Sequence, residues 1–449
     1  MKYTLLSILS ASIILTATLI NSCTQKEQIA TNAGSFDLLQ DKILTKSCAT
    51  SGCHASESDG NYAQHKLVLT KGQAYKNLFE VSPTNKTAVQ NGLKRVKAFK
   101  SLESLLYHKL FYDPIHHGGK SYGSIMPLGG DLLSVGQIEF IRRWIEAGAP
   151  ETANVADASL LDDKTPSTST FLGLPPPASG TGYQMVLDKF DVAPNFEREL
   201  FVRKPLGNTE TVYVNRMQIS MRSGSHHFIL YGFRNNTNLG AINKVRDLRN
   251  PDGTYDIVTF AQMGNHIFNF GGSEANDDYT FPEGTAVEVP ANATFDMNSH
   301  YYNRGTKAIP GEVNINLYTT PKANVKNILK VIDFGNQSLT IPAKTRTVVS
   351  KDFTFDKNVK IVMLFSHTHK FGEKFEILIN GGARNGEVVY TSTNWEHPEK
   401  INYLPNISLK KGEGLTSRIT YNNTSDKTVR FGLTTEDEMG IIFGYYYEE

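Results

Sequence analysis

The residues of this sequence best suited to chemistry are histidines in its second half. His367 and His369 lie one residue apart at the end of the apolar run VKIVMLF. In a regular strand, residues i and i+2 point to the same face, so the two imidazoles would lie side by side, as two ligands of one metal ion must. The alternative is a pair of ordinary polar residues on a solvated strand face.

A second group begins with the adjacent pair His226 and His227. Neighbouring residues of a regular strand point to opposite faces, so joint ligation requires a strand end or a bulge, and Gly224 supplies the backbone freedom for one. Further along the chain, His300 comes near the end of the strand-like stretch FDMNSHYYN. Met439 follows an acidic cluster and precedes the last apolar strand, where on its own it would be read as a core residue.

Two other histidines of this region fit neither group. His266 in QMGNHIFNF and His397 in NWEHPEK are interpreted as structural or solvated residues, with His266 a secondary candidate for a substrate cleft.

The first half of the chain contains a different motif, C-x4-C-H, formed by Cys48, Cys53 and His54. The haem-attachment motif is C-x-x-C-H, in which two thiols bind the haem covalently and the histidine ligates the iron. Two extra residues widen the loop here. The alternative is a disulfide that closes a small loop, with His54 as a bystander.

Met126 is the predicted second axial ligand of that haem. It precedes a proline in a Gly-rich loop, and a methionine thioether raises the reduction potential of haem iron. His108, His116 and His117 are the alternative distal ligands, and their loop-like surroundings also suit solvated side chains.

Helices are expected to position this motif. FDLLQDKILTKSC reads as an amphipathic helix that leads into Cys48. A second helix is predicted to start after Ser134 and to end at Gly148, before Pro150, because apolar residues recur at helical spacing between them. Residues 36–150 are therefore predicted to be a small all-α haem domain.

The N-terminus indicates export. Residues 1–22 combine one lysine with an apolar stretch that is short for a membrane span, which needs about 20 residues. Cys23 stands where a bacterial lipoprotein carries its lipid, so residues 1–22 are predicted to be a signal peptide and 23–35 a tether. The alternative is an ordinary secretory signal.

The rest of the chain is predicted to be all-β. Residues 151–182 have the Pro/Ser/Thr-rich composition of a linker. From there on, strand-like runs alternate with turn signals, and this length suits two antiparallel jelly rolls, at 183–322 and 323–449. The formal net charge of +1 gives no electrostatic argument for nucleic-acid binding.

The order H-H, H, H-x-H, M resembles the copper type II, ascorbate-dependent monooxygenases, which include peptidylglycine α-hydroxylating and dopamine β-monooxygenases. The resemblance implies two tandem jelly rolls with one copper ion each. It implies an electron-transfer copper on His226, His227 and His300, and an oxygen-activating copper on His367, His369 and Met439. A soft thioether favours Cu(I), the state that meets O2. The animal enzymes are rich in disulfides, whereas this chain has no cysteine after Cys53.

Residues 36–150 resemble small c-type cytochrome domains, apart from the wider cysteine spacing. Together, the resemblances imply an exported, lipid-anchored monooxygenase that hydroxylates a C–H bond of a small-molecule or peptide substrate with O2. Its electrons would come from ascorbate or another donor, or from the covalently attached haem c. The rival hypotheses are an exported haem and copper electron-transfer or copper-binding lipoprotein without hydroxylase activity, and a carbohydrate-binding sandwich without metal.

Overall fold

The computed structural model describes residues 33–111, 116–167, 171–222, 224–395, 398–433 and 436–449. The predicted signal peptide and Cys23 lie outside these residues, as does His397. Among the described residues, no helix has the length and apolar composition needed to cross a membrane.

Short helices make up the N-terminal unit. They are α1 (Ser35–Leu39), which continues as a π-helix (Gln40–Cys48), then α2 (Tyr62–His65), α3 (Ala74–Leu78), α4 (Lys86–Gln90), a 3-10 turn (Ser101–Glu103), α5 (Leu105–His108), α6 (Val135–Glu146) and a second 3-10 turn (Ala158–Asp162). The two predicted helices are confirmed, the first with a wider π-type spacing over its second part.

Helix α6 begins where its sequence predicts. The Ser134 hydroxyl accepts from the Gln137 backbone N–H, and the Gln137 side chain accepts in return from the Ser134 N–H, which completes a capping box. The apolar face of α6 packs into the core of the unit, where Trp144 is fully buried beside Phe36.

The first part of the predicted linker packs on this unit. The Ser35 hydroxyl accepts from the backbone N–H groups of Val155 and Ala156. Leu161 is buried in the same core. Residues up to about 162 are thus held against the helices.

Strands dominate the rest of the chain. The first ten are β1 (Gly182–Val192), β2 (Phe196–Pro205), β3 (Val212–Met221), β4 (Ser225–Phe233), β5 (Val245–Asp247), β6 (His266–Gly272), β7 (Asn276–Thr280), β8 (Thr285–Val289), β9 (Thr294–Asn303) and β10 (Ile309–Thr319), with helix α7 (Ile257–Met263) between β5 and β6. The sheet β5-β2-β9-β4-β6 faces β1-β10-β3-β8 across one apolar core. The two sheets form a jelly-roll-like β-sandwich.

A 3-10 turn (Lys322–Asn324) separates these strands from the last ten. These are β11 (Asn327–Gly335), β12 (Thr340–Ile341), β13 (Thr345–Thr354), β14 (Val359–His367), β15 (Gly372–Asn380), β16 (Val388–Ser392), β17 (Ile401–Leu409), β18 (Gly414–Asn423), β19 (Val429–Arg430) and β20 (Ile441–Glu448). The sheet β13-β18-β15-β16 packs on β11-β20-β14-β17 across a second core.

One sheet runs through both sandwiches. β8 pairs in parallel with β11, so the order continues as β1-β10-β3-β8-β11-β20-β14-β17. β14 is apolar on both faces because both are covered: Ile361 and Leu364 lie in the second core, and Met363 and Phe365 lie in the first. His367 is the last residue of this buried strand.

Candidate metal centre

A β-bulge brings His226 and His227 together. Gly224 has a φ of +90°, which favours glycine, and the pairing of β4 with β9 shifts register between Ser225 and His227. The two histidines therefore do not alternate between faces, and their Nδ1 atoms lie 3.0 Å apart. Two nitrogens bound at 2.0–2.1 Å to one metal ion would be separated by about 3 Å.

Hydrogen bonds set the orientation of two rings in this group. His227 Nε2 lies 3.3 Å from Asn298 Oδ1, and His300 Nε2 lies 2.7 Å from Glu197 Oε1. With the Nε2–H groups donated to these oxygens, Nδ1 carries the lone pair in each ring. Together, His226, His227 and His300 offer ligand nitrogens that all lie within 4.8 Å of one another.

Strand β9 supplies this group with its polar support. Alternate residues point to one face of the strand, and on that face Asp296, Asn298 and His300 are all buried. Phe295 and Met297 point the other way, into the first core. A buried polar strip therefore follows β9 and ends at His300.

His367 and His369 form the other group, which is held by a loop as well as by a strand. His367 closes β14, whereas His369 lies beyond the strand, so the two rings do not follow regular strand alternation. Their centroids are nevertheless 5.2 Å apart. His369 Nδ1 lies 3.1 Å from the Asp437 carbonyl, which orients the ring and leaves Nε2 as the lone-pair nitrogen.

Glu438 ties this loop to the segment that carries Met439. Its fully buried carboxylate accepts from the backbone N–H groups of His369 (3.0 Å), Phe371 (2.6 Å) and Met439 (3.2 Å). Burial raises the pKa of Glu438 to about 8, against the effect of these three donors. The sequence alone assigns Glu438 no role, because its only signal there is its place directly before Met439.

Substitution of Glu438 by glutamine should weaken metal binding at His367 and His369 by about 10- to 100-fold. An amide can offer only one acceptor oxygen, so its NH2 group would face a backbone N–H. The measurement is copper affinity by competitive titration, with the affinity at His226, His227 and His300 unchanged. The matched control is Glu436→Gln, which removes the ion pair between the exposed Glu436 carboxylate and the partly buried Lys370. An equal loss in both variants would contradict the role of Glu438.

The two groups adjoin. The centroid of the His367 ring lies 6.3 Å from that of His226 and 6.0 Å from that of His227. Burial and the neighbouring imidazoles lower the pKa of His367 to about 3, and burial lowers that of His369 to about 4. The pKa values of His226 and His227 are lowered well below the usual value for the same reasons. All four rings are therefore neutral at pH 7, the form that binds a metal ion.

His266 does not line this site. Its Nε2 lies 2.9 Å from Asp296 Oδ2 in a buried ion-pair network that includes Arg246, and its ring stacks on Tyr231. This placement supports the structural interpretation of His266 over a role in a substrate cleft.

The haem motif lines a cavity of about 1840 Å³ between the helical unit and the sandwiches. Cys48, Cys53, His54 and Met126 all contribute to its wall. The two cysteines are free thiols. His54 Nδ1 lies 3.3 Å from the Leu67 carbonyl, an arrangement that leaves Nε2 for a ligand. The cavity wall therefore brings together the four residues of the haem prediction, and haem attachment itself stays a prediction.

His65 is a neighbour that sequence reasoning did not single out. Its ring centroid lies 4.1 Å from that of His54. Both of its nitrogens have partners, because Nδ1 accepts from the Leu67 N–H and Nε2 lies 3.2 Å from the Cys53 carbonyl. These hydrogen bonds fix the His65 ring, which forms part of the cavity wall beside His54.

The alternative distal ligands His108, His116 and His117 lie elsewhere. They gather in a cluster of their own and are absent from the described residues that line the cavity.

Trp395 connects the cavity wall to the metal centre. Its indole N–H donates to Asn61 Oδ1 of the helical unit at 3.1 Å, and its ring lies 5.5 Å from that of His226. The Asn61 amide in turn donates to the carbonyl of Gly52, next to Cys53. The haem motif and the histidine group are thus joined by a short series of contacts.

The fold and the site define a β-sandwich protein with converging imidazoles. Residues 328–449 match the family model of the copper type II ascorbate-dependent monooxygenase, C-terminal domain. This range contains His367, His369 and Met439, and it supports a copper-dependent monooxygenase at the level of the family.

Comparison with solved structures finds viral coat proteins. The major capsid protein P2 from Bacteriophage PM2 has a TM-score of 0.24 and 9% identity, covering 57% of this chain and 98% of that one. The STIV MCP has a TM-score of 0.27 and 8% identity, covering 60% and 97%. Scores this low carry no functional conclusion. No curated protein sequence matches the chain.

Proposed function

We propose that this protein is an exported copper-dependent monooxygenase that hydroxylates a C–H bond of a small-molecule or peptide-like substrate. The observation that carries the proposal is the meeting of five imidazoles from both sandwiches, with His367 of the family-matched region 6.0 Å and 6.3 Å from His227 and His226.

Each group of side chains would hold one copper ion. His226, His227 and His300 would bind one, with His227 and His300 ligating through Nδ1. His367, His369 and Met439 would bind the other. When bound, the two ions would supply one-electron transfer and the activation of O2, with ascorbate or another donor as the source of electrons. The chain itself orients the rings of His227, His300 and His369 through Asn298, Glu197 and the Asp437 carbonyl. Burial lowers the pKa values of His227 and His369.

As part of the proposal, Cys48 and Cys53 would hold a covalently attached haem c, and His54 and Met126 would ligate its iron. It would supply one-electron transfer across the cavity. Support comes from the free thiols, the oriented His54 ring, and the shared cavity wall, which also includes His226. Haem attachment and lipidation of Cys23 both imply a location outside the cytoplasm, in the periplasm or at the cell surface, anchored to the membrane by lipid.

The test is a count of copper, iron and covalent haem on the purified mature protein, followed by O2 uptake with candidate substrates. The expected result is two coppers and one haem per chain, with substrate-dependent O2 consumption. Two coppers without oxygen consumption by any substrate would favour an electron-transfer or copper-binding lipoprotein. A chain that binds no copper would overturn the proposal.

A further inference from the structure

The cluster formed by His108, His116 and His117 has the geometry of a separate metal site in the helical unit. The ligand nitrogens of the three residues all lie within 4.8 Å of one another, the same limit that the His226, His227 and His300 group satisfies. Three nitrogens bound to one ion at 2.0–2.1 Å would be at most about 4 Å apart. The limit of 4.8 Å is therefore within about 1 Å of the separation that a bound ion requires.

His108 presents a buried nitrogen to this cluster. The residue is 4% exposed, and its Nε2 lies 2.8 Å from the Leu102 carbonyl. With the proton of the ring on Nε2, Nδ1 carries a lone pair. That atom is buried and has no hydrogen-bond partner in the described part of the chain. A buried polar atom without a partner is costly, and a metal ion would satisfy it.

The other two rings are arranged to complete the set. His117 Nε2 lies 2.9 Å from the His108 carbonyl, a contact that orients the His117 ring. The His116 ring stacks on Phe111 at 4.0 Å and meets the His108 ring edge-on at 5.2 Å. Burial lowers the pKa values of His108 and His117, which keeps their imidazoles neutral.

We propose that His108, His116 and His117 bind a divalent transition-metal ion of the zinc or copper type. Imidazole nitrogens suit these ions, and three protein ligands leave a fourth position for water. The ion would fasten helix α5 to the loop after residue 115. Lys109 directly follows His108. Its carbonyl accepts from the Met126 N–H, and its Nζ donates to the Tyr122 carbonyl. A metal here would therefore fix the segment that brings Met126 to the cavity.

The probe is Zn²⁺, counted by equilibrium dialysis on the full-length protein. We expect one more zinc ion per chain than the other two histidine groups account for. The double variant His116→Gln/His117→Gln should lose one ion, with an affinity loss of more than about 100-fold. Lys120→Gln, an exposed change in the same loop, is the matched control and should lose none. A double variant that folds and keeps the full zinc count would overturn the site.

A second measurement leaves the cluster intact, in case the double variant does not fold. In a chain carrying His226→Gln, His227→Gln, His367→Gln and His369→Gln, one Co²⁺ should still bind, with the visible absorption of a nitrogen-ligated ion. If no Co²⁺ binds, the site does not exist. The outcome is independent of the proposed copper centre, since that centre is removed.

Discussion

Replacement of Met439 by isoleucine should lower the rate of substrate-dependent O2 uptake by more than about 100-fold. The copper ion proposed on His226, His227 and His300 should remain bound. Loss of a residue that only hydrogen-bonds a metal ligand already lowers metal affinity or activity by about 10- to 100-fold. A thioether bound directly to the ion is the ligand type that favours Cu(I). The tests are oxygen consumption under saturating reductant and a copper count, which should fall from two ions to one.

Met217→Ile is the matched control for that substitution. Met217 is fully buried in the core of the first sandwich, and a swap of similar volume costs less than about 1.5 kcal/mol. It should retain both coppers and full oxygen uptake. Unchanged activity in Met439→Ile would remove Met439 from the centre.

Substitution of Asp296 by alanine should lower the free energy of unfolding by about 3–5 kcal/mol. Asp296 is fully buried and pairs with both Arg246 and His266, themselves buried. Its removal leaves the buried Arg246 guanidinium without a counter-charge. The cost of desolvating that guanidinium is then no longer offset by an ion pair. The measurement is urea unfolding followed by intrinsic fluorescence.

Asp278→Ala supplies the comparison for this experiment. Asp278 pairs with Arg216 on the same sandwich, but the two side chains are 47% and 37% exposed. Exposed pairs contribute about 0–1 kcal/mol, so this variant should unfold almost like the wild type. Equal losses of unfolding free energy in the two variants would show that burial does not determine how much the Asp296 ion pair contributes to stability.

Much of the architecture could be predicted because local rules agree with the packing. The cap at Ser134 and the apolar spacing of α6 are enough to place that helix. The bulge at Gly224 follows from the requirement that two adjacent histidines reach one point. The apolar character of β14 on both faces predicts a buried strand with His367 at its rim.

The remainder depends on contacts between residues far apart in sequence. Glu438 looks like one acidic residue among several, and only the fold aims three backbone N–H groups at it. Trp395 and Asn61 are separated by 334 positions, so no local pattern links them. The closeness of His367 to His226 and His227 is likewise a product of how the sandwiches pack.

The parallel pairing of β8 with β11 bears on how this protein can be divided. A chain cut at the seam near Lys322 would leave Thr285–Val287 and Asn327–Leu329 as open sheet edges. It would also uncover Phe365, which belongs to the core of the first sandwich. Unpaired edges beside apolar surface are templates for aggregation. We therefore expect the region that matches the family model to depend on its neighbour for solubility.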